Sequence, residues 1–453
     1  MNRPLWQHQK QMLRYTYMRR HPILFVDPRM GKSTVFIQRT RQYSPRDATG
    51  LRVLIVAPNS ALGSWVEELL LAGEAWYKVL EGTRAERLEQ LGKPATWNLA
   101  HPDIHLHIPE IADVAWDCVC LDESTVIKNY KSRRARFWVN NFRDVPHRWA
   151  MTGTPNPEHL LEFWPQMAWA DGSAFGFRNY WEARKRLFHV GFGKSDYEPN
   201  PGTQERITAA VASRACIIRR KDVNLEPTKN VLRRYHKLPA RLAASYRKIE
   251  DAFALVLDGN VKATTMWAGA QYVWLRRLAG GFLDRDYVWK EEIADVVHLL
   301  DSDYHSESVV VWAGFKLEIK ELTKAIKKAG RSVDYITGEV PPDQRRALVA
   351  RFNDGQIATL VIQHQVGETG MRLSKADVAI YYSNPLGNMT RMQTEDRIVH
   401  LGKLDRPLTL IEMITRGTVD EDISRSLRVK AINSKVTMDA CLRAQFRSRR
   451  SER

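Results

Sequence analysis

Short apolar runs alternate with longer amphipathic segments along this chain, and they fall into two clusters separated by a long interval. Each run is brief and rich in valine and isoleucine, and a segment long enough for a helix separates most runs. This pattern is typical of strands that are buried on both faces of a parallel sheet. The two clusters therefore predict an α/β fold with two doubly wound lobes. The runs of the first cluster are Ile23–Val26, Val53–Ala57, Val119–Leu121 and Trp149–Met151, and those of the second are Val309–Trp312, Val333–Ile336, Leu360–Ile362, Val378–Tyr382 and Leu408–Ile411.

The interval between the clusters, from about Glu158 to Ser306, has few strand-like runs and many arginine, lysine, tryptophan and alanine residues. Its remaining stretches favour helices. We therefore expect a first lobe over residues 1–165, a mainly helical insertion and linker over 166–300, a second lobe over 301–430 and a basic tail over 431–453. The cations of the interval fit either a DNA contact or a solvated helical face. Its tryptophans are expected in the core rather than on a base-stacking surface, and examples are Trp164, Trp169 and Trp181.

The charge balance favours a polyanionic partner without deciding the matter. The 453 residues include 69 basic and 52 acidic side chains, which gives a net charge of +17. This excess suits a nucleic-acid-binding protein, and it suits an enzyme that is merely basic equally well.

Cysteine usage and hydropathy argue against two other classes of protein. The four cysteines have no second Cys or His pair at finger spacing, so we expect reduced structural thiols rather than a zinc site. No run of about 18 apolar residues is present, and residues 1–20 lack the apolar core of a signal peptide. We expect a cytoplasmic protein that is nucleoid-associated in a bacterium or an infected host.

The first chemical signal is the segment Asp27–Thr34, which reads Asp-Pro-Arg-Met-Gly-Lys-Ser-Thr and follows the first run. A strand, a turn and a helix in this order are the setting of a phosphate loop, where backbone N–H groups bind phosphate oxygens. Lys32 is then expected to meet the β- and γ-phosphates, and Ser33 to bind Mg²⁺. The tripeptide Gly-Lys-Ser is a weak signal alone, and its setting strengthens it.

The second signal is the pair Asp122 and Glu123 at the end of a strand-like run. In a Walker-B arrangement Asp122 holds Mg²⁺, and Glu123 orients and deprotonates the attacking water. The alternative is a capping pair, because Ser124 and Thr125 also suit a helix start.

The third signal is the segment Met151–Pro155, in which two hydroxyls flank a glycine at the end of the next run. These hydroxyls are candidates for sensing the γ-phosphate or the Walker-B pair. A plain strand-to-turn segment is the alternative.

These three segments, in this order, resemble the motifs of helicase superfamily two, and most closely those of its Swi/Snf-type ATPases. Residues Leu5–Gln9 resemble the family's opening motif, with Gln9 in the place of the adenine-reading glutamine. Residues Val56–Ser60 and Trp65 resemble the next motif, which touches a DNA strand. Residues Asp122–Asn129 resemble the extended second motif, including its Lys-Asn ending.

The resemblance continues in the second cluster. Val309–Trp312 opens a strand like the fourth motif, Gly367–Leu373 resembles the glycine-rich fifth motif, and Gln393–Arg397 resembles the sixth. Gly417–Glu421 is similar to the brace segment that follows. We recognise no chromatin-reader, nuclease or methylase segment, which suits a bare motor of the bacterial or phage kind.

The resemblance implies RecA-like lobes, ATP and Mg²⁺ as cofactors, and DNA as the partner. It assigns catalysis to Lys32, Asp122, Glu123 and Arg397, with Ser33 and Asp122 as Mg²⁺ ligands. The implied ATP-binding set is Gln9, Arg29, Met30, Gly31, Lys32, Ser33, Thr34, Gly370, Gln393, Arg397 and His400. The implied coupling residues are Thr152, Gly153 and Thr154, and the implied DNA-binding set is Asn59, Ser60, Trp65, Lys128, Thr369 and Arg372.

Two departures from the family pattern concern ATP hydrolysis. Arg29 stands where the family usually has a glycine, three residues before the lysine of the phosphate loop. His400 stands where the family has the second arginine of the sixth motif. An arginine finger contributes several orders of magnitude in rate, whereas a histidine is shorter and largely neutral at pH 7. Turnover is therefore expected to be slow unless a neighbour such as Arg391 substitutes.

The function implied by the resemblance is that of an ATP-dependent translocase. ATP hydrolysis stimulated by DNA would move the protein on duplex DNA, with single-stranded DNA as a second track, and remodel DNA or its protein complexes. A strand-separating helicase needs a wedge element, and we identify none. The alternative from another class is a nucleic-acid-binding ATP switch with decayed hydrolysis, which Arg29 and His400 favour.

Overall fold

All nine strand-like runs of the sequence form strands, and several further strands lie between them. The computed structural model describes residues 4–45, 50–155, 159–190, 197–257, 265–283, 286–287, 289, 291–367, 371–400, 404, 406–431 and 437. The chain divides between Leu225 and Glu226 into unit 1, which precedes this point, and unit 2, which follows it as far as Ala431. Each unit is an α/β lobe built on one parallel sheet, as the sequence predicted.

Unit 1 contains a seven-stranded sheet and a separate antiparallel hairpin. The strands are β1 (Ile23–Val26), β2 (Val53–Val56), β3 (Tyr77–Val79), β4 (Trp97–Ala100), β5 (Cys118–Asp122), β6 (His147–Thr152), β7 (Phe188–Val190), β8 (Tyr197–Pro199) and β9 (Ala215–Ile218). The order across the sheet is β3-β4-β2-β5-β6-β1-β9, with every neighbouring pair parallel. Strands β7 and β8 form the hairpin.

Helices cover both faces of this sheet. They are α1 (Gln7–Tyr17), α2 (Lys32–Thr40), α3 (Asn59–Ala72), α4 (Arg84–Gly92), α5 (Arg133–Asn141), α6 (Phe163–Asp171), α7 (Tyr180–Leu187) and α8 (Thr203–Arg214). Helices α1 to α3 contribute to one buried cluster, and α5 to α8 contribute to the other. Strand β1 explains why the runs are continuous: Ile23 and Phe25 enter one cluster, and Leu24 and Val26 enter the other, because successive strand residues point to opposite faces.

Unit 2 contains a six-stranded parallel sheet. Its strands are β10 (Lys229–Lys237), β11 (Phe282–Leu283), β12 (Asp286–Tyr287), β13 (Val309–Ala313), β14 (Val333–Ile336), β15 (Thr359–Gln363), β16 (Val378–Tyr381) and β17 (Leu408–Arg416). The sheet order is β10-β17-β16-β13-β15-β14, and β11 pairs only with β12. The helices are α9 (Ala240–Leu257), α10 (Thr265–Ala279), α11 (Glu291–Asp301), α12 (Lys316–Lys328), α13 (Pro342–Asn353), α14 (His364–Gly367) and α15 (Asn388–Asp396), and residues 419–431 are helical too.

The two units do not coincide with the predicted domain boundaries, which remain a prediction. The sequence placed the end of the first lobe at residue 165 and an insertion over 166–300, but the units divide at Leu225 and Glu226. The interval is mainly helical, as expected, yet β9 is the edge strand of the first sheet and β10 is the edge strand of the second. It therefore completes both sheets rather than standing apart from them. The predicted tail over 431–453 lies almost wholly outside the described residues.

The tryptophans of the interval were expected in the core, and this holds for two of the three named examples. Trp164 and Trp169 are buried in the core of unit 1, as expected. Trp181 is 48% exposed, so its assignment to the core is wrong.

Two expectations about the chain's chemistry concern its thiols and its hydropathy. Cys118, Cys120 and Cys216 are free and buried, and Cys441 lies outside the described residues. Burial raises the pKa of the Cys118 and Cys120 thiols well above its usual range. Within the part of the chain that the structure describes, no helix is long and apolar enough to cross a membrane.

Candidate active site

The phosphate loop joins β1 to α2 at the carboxyl edge of the first sheet. Helix α2 begins at Lys32, directly after Gly31 with φ 81°, and no side chain caps its N-terminus. The N–H groups of an uncapped first turn attract anions. Lys32 Nζ donates to the carbonyl oxygens of Val26 at 2.6 Å and of Asp27 at 3.2 Å, so the ammonium lies over the start of the loop.

The base of the loop is held from the neighbouring edge strand. The main-chain N–H of Arg220, two residues after β9, donates to Asp27 Oδ2 at 2.8 Å. The first residue of the loop is thereby fixed to the last segment of unit 1.

Arg29 adopts the left-handed conformation, with φ 65°. This conformation costs a residue with a side chain about 1–2 kcal/mol, and glycine avoids the cost. The departure noted in the sequence therefore falls where glycine is conformationally favoured. The side chain of Met30 is fully buried, so only its backbone is available to a nucleotide, which narrows its predicted ATP-binding role.

The opening motif packs against the phosphate loop. A Cβ on Gly31 would lie 2.0 Å from Gln9 Nε2, so the glutamine occupies the space that a side chain there would need. His8 Nε2 donates to the Met30 carbonyl oxygen at 3.1 Å. Trp6, whose main-chain N–H donates to Gln9 Oε1, is 49% exposed. Sequence reasoning missed Trp6 as a candidate for contact with a bound base, although its place in the opening motif was a signal.

The Walker-B pair lies at the end of β5. Burial raises the pKa of Asp122 to about 6, against the opposing effects of the Lys32 charge and of Trp65, whose Nε1–H donates to Asp122 Oδ2 at 2.7 Å. Glu123 is left-handed, with φ 64°, and its Oε1 accepts hydrogen bonds from Thr125 Oγ1 at 2.7 Å and from Thr152 Oγ1. Two hydroxyls therefore fix the carboxylate that was predicted to orient water.

Trp65 is a correction to the predicted DNA-binding set. Trp65 belongs to α3, is 2% exposed and packs into the core of unit 1, with its indole N–H bonded to Asp122. A buried indole cannot lie against a DNA strand. Trp65 instead positions the Walker-B aspartate.

The third motif contacts both of the other motifs of unit 1. Thr152 Oγ1 donates to Glu123 and accepts from the main-chain N–H of Thr154 at 3.1 Å. A Cβ on Gly153 would lie 2.6 Å from Cδ of Pro28 in the phosphate loop. These contacts make Thr152, Gly153 and Thr154 suitable for the predicted coupling, which remains a prediction.

Gln166 is a supporting residue that sequence reasoning missed. Its Oε1 accepts from Ser124 Oγ at 2.7 Å, and its Nε2 donates to the Pro155 carbonyl oxygen at 2.7 Å. The fully buried amide thus joins the segments that follow Glu123 and Thr154. The available signal was a lone glutamine inside the apolar helix α6.

In unit 2, the sixth motif lies at the end of α15. Arg397 Nε donates to the Gly367 carbonyl oxygen at 3.0 Å, Gln393 is half-buried on α15, and His400 is exposed. Gly370 lies outside the described residues.

Arg391 does not provide the substitute arginine that the sequence allowed. Its side chain is 6% exposed and bonded to Glu395, to Asn384 and to Glu412, with its guanidinium carbon 3.6 Å from the centre of the Tyr381 ring. The two carboxylates and the Tyr381 ring hold its pKa above the usual range, despite burial. All of its hydrogen-bonding sides face the interior of unit 2, so Arg391 supports the fold there.

The other residues predicted to bind DNA differ in how exposed they are. Asn59 at the start of α3 and Arg372 after the fifth motif are exposed. Lys128 is half-buried and pairs with Glu162 at 3.2 Å. The side chain of Ser60 and all of Thr369 lie outside the described residues. Their contact with DNA remains a prediction.

Comparisons with known families decide the classification. The description "SNF2-related domain" matches residues 8–250, which is more than half of the chain, and "Helicase conserved C-terminal domain" matches residues 291–402. The chain belongs to the SNF2-type group of superfamily 2 helicases.

This SNF2-type chain is similar to longer proteins from bacteria and animals. It is 24% identical over 412 residues to the Bacillus subtilis protein YwqA, named as a candidate ATP-dependent helicase/translocase, covering 83% of this chain and 42% of that one. It is 22% identical over 417 residues to the mouse SWI/SNF-related matrix-associated actin-dependent regulator of chromatin subfamily A member 1, covering 83% and 38%. The chain thus spans about two fifths of the length of these relatives.

Among solved structures, the SWI2/SNF2 ATPase core of Sulfolobus solfataricus in complex with dsDNA is 20% identical. The similarity covers 96% of this chain and 94% of that one, with a TM-score of 0.44.

The donor set of the SNF2-type site fits Mg²⁺ that arrives with a nucleotide. Among the described residues, no group of three or more His, Cys, Asp or Glu side chains is placed to hold a metal ion. Mg²⁺ commonly takes one or two protein ligands and completes its shell with water and substrate phosphates. The buried Asp122 carboxylate, whose raised pKa reflects incomplete compensation of its charge, and the Ser33 hydroxyl are such a set.

Proposed function

We propose that this SNF2-type chain hydrolyses ATP and uses the cycle to move along duplex DNA, with single-stranded DNA as a second track. The observation that carries the proposal is the contact of three motifs at one sheet edge. The phosphate loop, the Asp122–Glu123 pair and the Thr152–Thr154 segment touch one another within unit 1. An unrelated strand-to-turn segment has no reason to bond the carboxylate that follows the next strand in the sheet.

Each residue of unit 1 has a role in this proposal. The N-terminus of α2 and Lys32 bind the phosphates, while Ser33 and Asp122 hold Mg²⁺, which neutralises phosphate charge when bound. Glu123 accepts a proton from the attacking water, in an orientation fixed by the hydroxyls of Thr125 and Thr152. Gln9 reads the adenine beside the loop. The ATP-binding roles of Gln393, Arg397, His400 and Gly370 rest on the sixth and fifth motifs alone.

The DNA track is supported by charge and by surface position. The net charge of +17 suits a phosphate backbone, and Asn59 and Arg372 are both exposed, as contact with one requires. Contacts of this kind to sugar and phosphate carry no sequence information, as movement along DNA requires.

The test is ATP hydrolysis by the purified protein with no nucleic acid, single-stranded DNA, duplex DNA or RNA, compared with Glu123→Gln. We expect the strongest stimulation by duplex DNA and a rate at least about 100-fold lower in the variant. Displacement of a third strand from duplex DNA would then report movement. Hydrolysis that is insensitive to all nucleic acids would contradict the DNA-driven motor.

A second candidate is a DNA-binding ATP switch with weak hydrolysis. It is favoured by the left-handed Arg29 and by the burial of Arg391, which leaves His400 without that substitute. The variant His400→Arg discriminates the two functions. A gain of about tenfold or more in the hydrolysis rate would show that the histidine limits turnover and would support the switch. An unchanged rate above background would support the motor.

A further inference from the structure

A cavity of about 320 Å³ lies in unit 1, lined by residues that the proposed ATP site does not use. Its walls come from the end of the extended second motif, from the turn before α6 and from the β7–β8 hairpin with the start of α7. Pockets for small ligands commonly measure about 300–1,000 Å³, so this one suits a single small group.

The inner wall of the cavity is aromatic and held firmly in place. Tyr180 and Phe188 are buried, and Tyr197 is half-buried. The Tyr180 ring lies 5.0 Å from the ring of Tyr130 and 5.5 Å from that of Trp164, which belongs to the core of unit 1. The aromatic wall is therefore part of the folded scaffold rather than a loose surface cluster.

Two cations lie against the Tyr197 ring of this cavity, Lys131 as a lining residue and Arg184 beside the lining. Lys131 Nζ lies 5.1 Å and the Arg184 guanidinium carbon lies 4.1 Å from the centre of the Tyr197 ring. Lys128 also lines the cavity, but Glu162 pairs with it at 3.2 Å and offsets its charge. Among the described residues, no carboxylate pairs with Lys131 or Arg184 in the same way. The cavity thus combines aromatic lining residues with two cations at the Tyr197 ring.

We propose that this cavity binds one unstacked nucleotide of a DNA strand, with the base against the aromatic wall and its phosphate at Lys131 and Arg184. Aromatic side chains and arginine planes are the surfaces on which proteins hold single bases, and cations beside them hold the backbone. Asn129 and His159 also line the cavity and add polar groups to its wall. The volume admits one nucleotide and not a base pair.

The inference rests on the proposed DNA track and goes beyond it. A motor that grips only the backbone of a duplex has no use for an aromatic pocket. With the pocket, the protein distinguishes DNA that presents an unpaired base from DNA that is fully paired.

The test compares binding of two labelled duplexes of the same sequence, one fully paired and one with a single extrahelical thymine. The proteins are the full chain, Tyr197→Ala and Lys131→Ala, with Tyr335→Ala and Lys93→Ala as controls of the same residue types at exposed positions outside the pocket. A stacked base contributes about 5- to 150-fold in affinity. We expect the wild type and the controls to prefer the extrahelical duplex by such a factor, and both pocket variants to lose the preference.

A third arm uses thymidine 5′-monophosphate alone, which is expected to abolish the preference at high concentration without displacing the paired duplex. Equal affinity of the wild type for the two duplexes, or a preference that persists in Tyr197→Ala and Lys131→Ala, overturns the pocket proposal. Hydrolysis stimulated by the paired duplex in those same preparations would leave the proposed motor intact. Failure to bind either duplex would contradict both proposals together.

Discussion

At the scale of single residues, the phosphate loop includes one position with unfavourable backbone geometry. Arg29 is left-handed at φ 65°. We expect Arg29→Gly to raise the free energy of unfolding by about 1 kcal/mol, because glycine adopts this conformation without steric cost. Chemical denaturation followed by circular dichroism measures the change. Arg29→Ala is the matched control, since it removes the guanidinium and keeps the Cβ. An equal gain in both variants would mean that the side chain, not the backbone, is responsible.

The buried charge of Asp122 makes the free energy of unfolding depend on pH. Burial raises its pKa from 3.8 to about 6 in the folded protein, so the fold binds a proton more tightly than the unfolded chain does. The stability that this proton provides is complete below about pH 4 and is lost as the pH rises through 6. At about 1.4 kcal/mol per pKa unit, the full loss is about 3 kcal/mol.

The neutral variant Asp122→Asn escapes this loss. We expect it to be more stable than the wild type at pH 8, by about 1 kcal/mol more than at pH 5, while ATP hydrolysis is abolished. Thermal denaturation at the two pH values without nucleotide measures the difference. Asp113→Asn removes an exposed carboxylate and should show no such pH dependence. A pH-independent effect in Asp122→Asn would point to packing instead.

The site was predictable from the sequence wherever a residue follows a strand. Asp122 and Thr152 were found because each stands at the carboxyl end of a strand-like run, and Lys32 was found because its loop follows such a run. Whether a side chain on a helix points to the core or to the surface was not predictable from such a position. Trp65 was assigned to DNA from its motif, whereas it points inward to Asp122. Gln166 bonds across 42 residues to Ser124, a contact that no local pattern encodes.

At the scale of elements, the end of β6 presses on the phosphate loop through Gly153. A Cβ there would lie 2.6 Å from Pro28 Cδ and 3.2 Å from its backbone nitrogen. We therefore expect Gly153→Ala to displace the loop, to raise the KM for ATP about tenfold and to lower stability by about 1–3 kcal/mol. Steady-state hydrolysis and denaturation measure both effects.

Gly92→Ala is the control for that prediction, because a Cβ at Gly92 meets no atom within 4 Å. Unchanged kinetics in Gly153→Ala would show that the end of β6 and the phosphate loop can move apart without a change in ATP binding.

The strands that the sequence missed differ physically from those it predicted. Strand β13 is buried along its whole length and appears as an uninterrupted apolar run. Strand β10 lies at a sheet edge and mixes charged, polar and apolar residues that are mostly exposed, so its sequence does not stand out. Strand β9 is apolar but only four residues long and follows α8 directly. The boundary between the units depended on these two edge strands.

At the scale of the whole molecule, we expect the excess of cations to govern affinity for the proposed DNA track. A plot of the logarithm of the association constant against the logarithm of the salt concentration has a negative slope. Each phosphate that a protein cation neutralises contributes about −0.9 to that slope. For about four such contacts, affinity should fall roughly 100-fold between 50 and 200 mM salt. Fluorescence anisotropy with labelled duplex DNA measures the slope. Hydrolysis without DNA should change little over the same range, and a flat binding curve would argue against backbone recognition.

The bond between Asp27 and the main chain of Arg220 has a mechanical consequence. Arg220 lies five residues before Leu225, at which the chain leaves unit 1. A pull on the connecting segment would therefore be transmitted to the first residue of the phosphate loop through contacts that include this hydrogen bond of 2.8 Å and the ion pair between Arg220 Nε and Asp27 Oδ2 at 3.9 Å. A displacement of the phosphate loop would change its affinity for the nucleotide. Mechanical resistance to movement along the proposed DNA track would then alter nucleotide binding.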